Sequence, residues 1–156
     1  HKAIGLLSQR PGYEVTVITQ NVDDLHERGG CLKVLHMHGE LRKIRNILTG
    51  EAQSLHEEMP MEMRSEWRPD IVWFGEQIKH GDEIMEVIQK AEIFVTVGTS
   101  SEVYPAAGLF QVAKNSGATT VELNLEITAV SDHYCHNYQG KASQTVSAFI
   151  DHSLGR

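Results

Sequence analysis

Cysteine is scarce in this chain: 156 residues contain only Cys31 and Cys135, far apart. Two thiols cannot build a disulfide framework or a four-thiolate zinc site, and such usage fits a reducing compartment. Positive charge is also short, with 14 Lys and Arg against 21 Asp and Glu, a formal charge of -7 and a pI near 5.7. Neutralising phosphates takes Lys and Arg clustered in excess, so nucleic acid is not expected as a partner. No apolar run is long enough to span a bilayer and no basic-then-apolar leader is recognised, so the expectation is a soluble, cytoplasmic protein with no membrane partner. A G-x-G-x-x-G motif is lacking too. The glycines of "GTSSEVYPAAG" are wrongly spaced for it, which removes the main support for hydride transfer. Finally, no methionine opens the chain. His1 to Leu7 already reads as mid-helix, with Ile4 and Leu7 as its apolar positions, so a piece of a longer protein is expected.

What is present suits one compact domain, since 156 residues at 40% apolar composition can bury a core. "EVTVIT" (14–19) is β-branched and follows the Pro11-Gly12 turn signal; "IVWF" (71–74), "IFVTV" (93–97) and "TTVELNL" (119–125) are further strand candidates. Helical spacing lies between them. "DEIMEVIQKA" puts Ile84, Val87, Ile88 and Ala91 on one face, and "PAAGLFQVAKNSG" opens at Pro105 and closes at Gly117. A last helix over 145–154 would pack Val146, Phe149 and Ile150 on a sheet. Strands that are apolar at consecutive positions suit a parallel sheet covered on both faces, so the fold class expected is α/β, Rossmann-like and doubly wound. Residues 42–68 stand apart as charged, Met-rich and without period; they read as a small inserted lobe.

Ligands of open α/β sheets bind beyond the carboxyl ends of the strands. Those ends are polar here: Gln20, Asn21 and Asp23 follow the first strand, Gly75 and Glu76 the second, Gly98, Thr99 and Ser100 the third, and Asn124 sits in the end of the fourth. Amides, hydroxyls and glycines in that position describe a nucleotide-sized crevice. Each segment also has a plain reading, as a helix cap or a turn, and taken singly that reading wins. "HMHGE" (36–40) is likewise open. H-x-H on a strand could start a metal site but lacks a third ligand, and His36 reads best as a core or hydrogen-bonded residue. His38, just before Gly39, can be a general base or a structural neighbour, and the pattern does not choose.

In order, "TQNVDDLHERGG", "LHMHGEL", "RPDIVWFGE", "VGTSSEVYPAAG" and "VELNLE", with the tail "GKAS", resemble the signature blocks of the sirtuin family of NAD-dependent protein deacylases. "HMHGEL" and "VYPAAG" are most similar to its bacterial and mitochondrial desuccinylase-like branch. The resemblance implies NAD as cofactor, acylated-lysine peptides or proteins as partners, and nicotinamide, acyl-ADP-ribose and free lysine as products. It implies that His38 is the catalytic base and that Gln20, Asn21, Val22 and Asp23 line the nicotinamide and ribose pocket. Gly98, Thr99, Ser100, Asn124, Leu125, Glu126 and Ala142 match segments that hold the adenosine half. Val72, Trp73, Phe74, Gly75 and Glu76 match the wall of the acyl-lysine tunnel, with Val103 and Tyr104 flanking the peptide. An aromatic wall shields a cationic intermediate from water; the plain alternative for Trp73 and Phe74 is core packing. NAD glycohydrolase or ADP-ribosyl transfer, which activate the same ribose carbon, and non-catalytic nucleotide binding are the competing readings.

Two departures from the family follow. Most sirtuins fix a zinc with two Cys pairs in the small lobe, whereas 42–68 has no cysteine and Asn46 stands near the first position, so no metal is expected. Apolar packing by Ile44, Ile47, Leu48, Leu55, Met59, Met61, Met63 and Trp67 would then hold the lobe, with Leu55 and Trp67 as anchors. The family's glycine-rich first βα unit, which cradles the pyrophosphate, and the segment recognising acidic acyl groups would lie before His1. Residues 1–156 thus correspond to the C-terminal two-thirds of such a catalytic domain, expected to bind NAD weakly by themselves.

Overall fold

The computed structural model describes residues 1–55, 60–63, 65–100 and 104–154 and mixes helices with short strands. In chain order the elements are α1 (Lys2–Ser8), β1 (Val17–Thr19), α2 (Leu25–Arg28), β2 (Val34–His36), β3 (Gly39–Asn46), β4 (Ala52–Ser54), β5 (Trp67–Ile71), α3 (Gly81–Lys90), β6 (Ile93–Val97), α4 (Leu109–Asn115), β7 (Thr119–Asn124), β8 (His136–Gln139) and α5 (Ala142–Phe149). The chain divides into two compact units, His1–Gly81 and Asp82–Arg156.

In the second unit β6, β7 and β8 form a parallel sheet with β7 in the middle. A central parallel strand has no solvent face, which is why the run from Thr119 is apolar or β-branched at successive positions. Thr120, Val121, Glu122 and Leu123 are all at most 2% exposed. The one carboxylate among them is satisfied: Glu122 accepts from the Thr128 hydroxyl at 2.9 Å and from the Ser131 hydroxyl, tying the loop after β7 back to the strand. The segment opened by Pro105 begins as a 3₁₀ turn over Ala106–Gly108 and becomes α4, which buries Leu109, Phe110 and Ala113. Phe110 stacks on Tyr134 at 4.6 Å between centroids. On α3 the i, i+4 pair Ile84 and Ile88 is buried, as the spacing predicts. The last helix starts earlier than expected, at Ala142, and ends in a π-helical turn over Ile150–Leu154.

The first unit holds two sheets. β1 and β2 pair in parallel, Thr19 opposite His36. β4, β3 and β5 pair antiparallel, and this is where expectation and structure part. Among the described residues of 42–68, most of β3, all of β4 and the start of β5 are found, so regular strands lie where no period was read. The period was hidden because the buried positions of β3 and β5 are Ile44, Asn46 and Asp70, two of them polar, so hydropathy does not alternate. The strand expected over 71–74 is β5 instead, ending at Ile71. Beyond it the Glu76 carboxylate captures the Trp73 amide at 3.1 Å and folds 72–76 into a loop.

The lobe's packing also differs. Ile44 is 1% exposed, but Ile47, Leu48 and Met61 are exposed, and Leu55, Met63 and Trp67 are only half-buried; Met59 lies outside the described residues. Charge fills the gap. Asp70, almost fully buried, accepts from Lys79 Nζ through both oxygens at 2.7 Å and has Arg45 Nε at 3.5 Å. Asn46 closes the β3–β4 turn, its Oδ1 accepting from the amides of Leu48 and Thr49 at 2.9 and 3.0 Å.

Candidate active site

Four consecutive carbonyls, those of Thr19, Gln20, Asn21 and Val22, accept hydrogen bonds from residues 36–41. Met37 N donates to Thr19 O at 3.1 Å and Leu41 N to Val22 O at 2.8 Å. Between these backbone bonds come two imidazoles: His38 Nδ1 bonds Gln20 O at 3.1 Å and His36 Nδ1 bonds Asn21 O at 3.1 Å. His36 closes β2 and His38 sits in the two-residue turn before β3, and both rings reach the same loop. A carbonyl can only accept, so Nδ1 carries the hydrogen in both rings. For His38 this leaves Nε2 as the basic atom, without a partner among the described residues. His36, 4% exposed, is bound at its other nitrogen as well, to Glu27 Oε1 on α2 at 2.7 Å.

Gly39 sets the approach of this strand to its neighbour. Its φ is +84°, and a Cβ there would lie 2.0 Å from Asp70 O, so only glycine lets β3 pair with β5 directly after His38. Val72 N donates to His38 O at 2.8 Å, fastening the next loop to the base. Gln20, Asn21 and Val22 thus lie against His36, His38 and Leu41, with Asp23 next in the chain and Val72 bonded to His38 O. The plain reading of Asp23 is partly right as well: Oδ1 caps α2 by accepting from Leu25 N at 3.0 Å. The exposed Asn21 takes Thr19 Oγ1 through its main-chain amide at 3.1 Å, and its side chain has no partner among the described residues.

Core packing does not account for Trp73 and Phe74, which are 58% and 106% exposed. Their loop is braced from beneath. Arg68 donates to Glu76 and to Ile71 O (3.1 Å), and its guanidinium lies 4.9 Å from the Trp73 ring centroid. Arg68, followed by the Trp73 amide, holds the Glu76 carboxyl below the usual carboxylate range. Glu76 is thereby a brace within the loop, a role that its place in "FGE" does not reveal. Neither Glu27 nor Arg68 was legible as a site residue, because partners nine and eight residues apart match no local period.

The second unit gathers its own group. Gly98, at φ +60°, donates to Leu123 O at 3.0 Å; Asn124 Nδ2 donates to Thr99 O at 2.8 Å, and Asn124 Oδ1 accepts from Leu125 N. Gly140 N reaches Asn124 O at 2.9 Å, bringing the start of α5 and Ala142 toward the same strand end. Gly98, Thr99, Asn124 and Leu125 thus share one cluster, with Ser100 and Glu126 exposed at its edges. Tyr104 is 79% exposed, and Val103 lies outside the described residues.

Comparison with known proteins gives a consistent result. The family model described as the Sir2 family matches residues 1–105. An NAD-dependent protein deacylase of Vibrio parahaemolyticus is 43% identical over 161 residues, which takes in 99% of this chain and 67% of that protein. The chain spans about two-thirds or less of the relatives it matches, 58% for the Escherichia coli K12 deacylase. Among solved structures, a Sir2 homolog in complex with NAD aligns with TM-score 0.85 and 30% identity, covering 99% of this chain and 64% of the other. A Sir2 protein bound to acetylated peptide aligns at 0.83 and 25%, covering 98% and 70%.

Proposed function

The chain belongs to the Sir2 family, and from that premise we propose that its residues serve an NAD-dependent protein lysine deacylase that releases nicotinamide, acyl-ADP-ribose and free lysine. One observation carries the reading: His38 is fixed by its Nδ1–H on the Gln20 carbonyl, and Nε2 is left as an open basic atom. Bound NAD would supply the electrophilic ribose carbon that bears nicotinamide and the ribose hydroxyls beside it. The residues on the first strand end fit such a group. Asn21 offers an uncommitted carboxamide and Asp23 a second carboxylate oxygen for the nicotinamide and its ribose, with Gln20 and Val22 forming the backbone beside them. His38 Nε2 takes the proton of a ribose hydroxyl. Gly98, Thr99, Ser100, Asn124, Leu125, Glu126 and Ala142 hold the adenosine half, supported by the hydrogen bonds that already join Gly98, Thr99, Asn124 and Leu125.

On the substrate side, Val72, Trp73, Phe74 and Gly75 line the acyl-lysine path, and Val103 and Tyr104 flank the peptide. The exposure of Trp73 and Phe74 supports this, since rings held out of the core are free to cover an acyl chain and exclude water from it. Residues 42–68 form the small lobe of the domain, without zinc. Acetyl and succinyl are the acyl groups to be tried, their transfer to ADP-ribose making the enzyme a transferase. The compartment we favour is the cytoplasm, which suits two free cysteines.

The test is to incubate the protein with NAD and acetyl- or succinyl-lysine peptides and to follow nicotinamide and free lysine. Exchange His38→Tyr is expected to lower turnover by about 10²-fold or more, the scale of a general base, with the fold intact. Unchanged turnover in that variant overturns the assignment, and nicotinamide release without peptide would favour NAD glycohydrolase instead.

A further inference from the structure

His36 faces an oxygen acceptor at each ring nitrogen, Asn21 O at 3.1 Å and Glu27 Oε1 at 2.7 Å. A ring so placed is fully satisfied only when it donates from both sides. It is thereby fixed in rotation at both ends, in a site where it is 4% exposed, whereas the carboxylate that fixes it is 42% exposed on α2. His38 is fixed at one end alone, on Gln20 O. The two accepting carbonyls belong to successive peptide planes that share the Asn21 Cα, with only the φ and ψ of Asn21 between them, so anchoring the Asn21 carbonyl narrows the range through which the Gln20 carbonyl can swing. The orientation of Gln20 O therefore depends on what His36 does to Asn21 O.

We propose that Glu27 and His36 are positioning residues for the base: the carboxylate clamps His36, His36 clamps the Asn21 carbonyl, and the adjoining Gln20 carbonyl holds His38 in the Nδ1–H tautomer with Nε2 open. This rests on the reading of His38 as general base, and it adds two side chains that touch neither NAD nor peptide. In the wrong tautomer the ring presents N–H where a lone pair is needed. The backbone bonds at Thr19 and Val22 flank the pair, so removing the clamp is expected to act on the imidazole contacts and to spare the ladder.

The experiment reads the rings directly. Two-bond ¹H–¹⁵N spectra of the labelled protein distinguish a protonated from a bare ring nitrogen without any turnover. In the wild type, His38 is expected to show the Nδ1–H tautomer. Glu27→Ala is expected to shift His38 toward a mixture of tautomers. The same variant lowers kcat about tenfold, part of the ~10²–10⁴ a general base supplies, with KM for acyl peptide unchanged. Glu27→Gln, whose amide oxygen still accepts from Nε2–H, restores the His38 pattern and most of kcat. An unaltered His38 pattern in folded Glu27→Ala overturns the proposal, as does a kcat equal to wild type. If instead Glu27→Ala moves the His38 signals while His38→Tyr keeps full turnover, the clamp stands and the base assignment falls.

Discussion

The two sheets that follow His38 in the chain are held by different means. The parallel sheet β6–β7–β8 is held by burial, with Val121 and Leu123 at 1% exposure and its only buried carboxylate satisfied by two hydroxyls. The antiparallel sheet β4–β3–β5 has one well-buried aliphatic, Ile44, and is otherwise tied by Asp70 with Lys79 and Arg45, by Arg68 with Glu76, and by the Asn46 turn. The lesson is that a sheet can dispense with an apolar face if its buried polar groups are paired; its stability then responds to salt more than that of a sheet held by burial.

The largest expected effect lies in the parallel sheet. Leu123→Ala removes a fully buried side chain and is expected to cost about 3 kcal/mol, within the ~2–5 kcal/mol of such truncations, measured by urea unfolding. In the antiparallel sheet, Asp70→Ala strips Lys79 of its carboxylate and leaves Arg45 with Glu76 alone, and is expected to cost about 2 kcal/mol, the scale of hydrogen bonds to charged groups. An equal loss in 1 M salt and in dilute buffer for both variants would erase the distinction between the sheets; the loss at Asp70 should shrink in salt and that at Leu123 should not. Glu76 gives the smallest effect. Because its carboxyl is depressed in the fold, its contribution is complete above the ordinary glutamate range and vanishes as pH falls through the depressed value. Thermal melts of wild type and Glu76→Gln should therefore differ near pH ~6 and converge toward pH ~3.

The same contrast explains what could be read from the sequence. The parallel sheet was legible because burial writes itself as consecutive apolar residues, so 93–97 and 119–124 were placed within a residue, and Ile84 and Ile88 announced their helix face. The antiparallel lobe was illegible because its inward positions are Asn46 and Asp70, and its expected anchors Leu55 and Trp67 are half-exposed. The candidate site was legible wherever a residue type matched a motif, as with His38 and Asn21. Its supports were not, since Glu27 and Arg68 act across eight or nine residues on partners that only the folded chain brings near.

Gly39 has a bearing on how this protein can vary. β3 faces solvent at Leu41 and Arg42, where many side chains would be accommodated. At Gly39 the neighbouring Asp70 carbonyl occupies the place of any β-carbon, so every single-codon replacement wedges two strands apart at the residue after the histidine. Sequence drift can therefore reshape the outside of the lobe freely while one atom-sized gap keeps the strand after the imidazole locked to its partner.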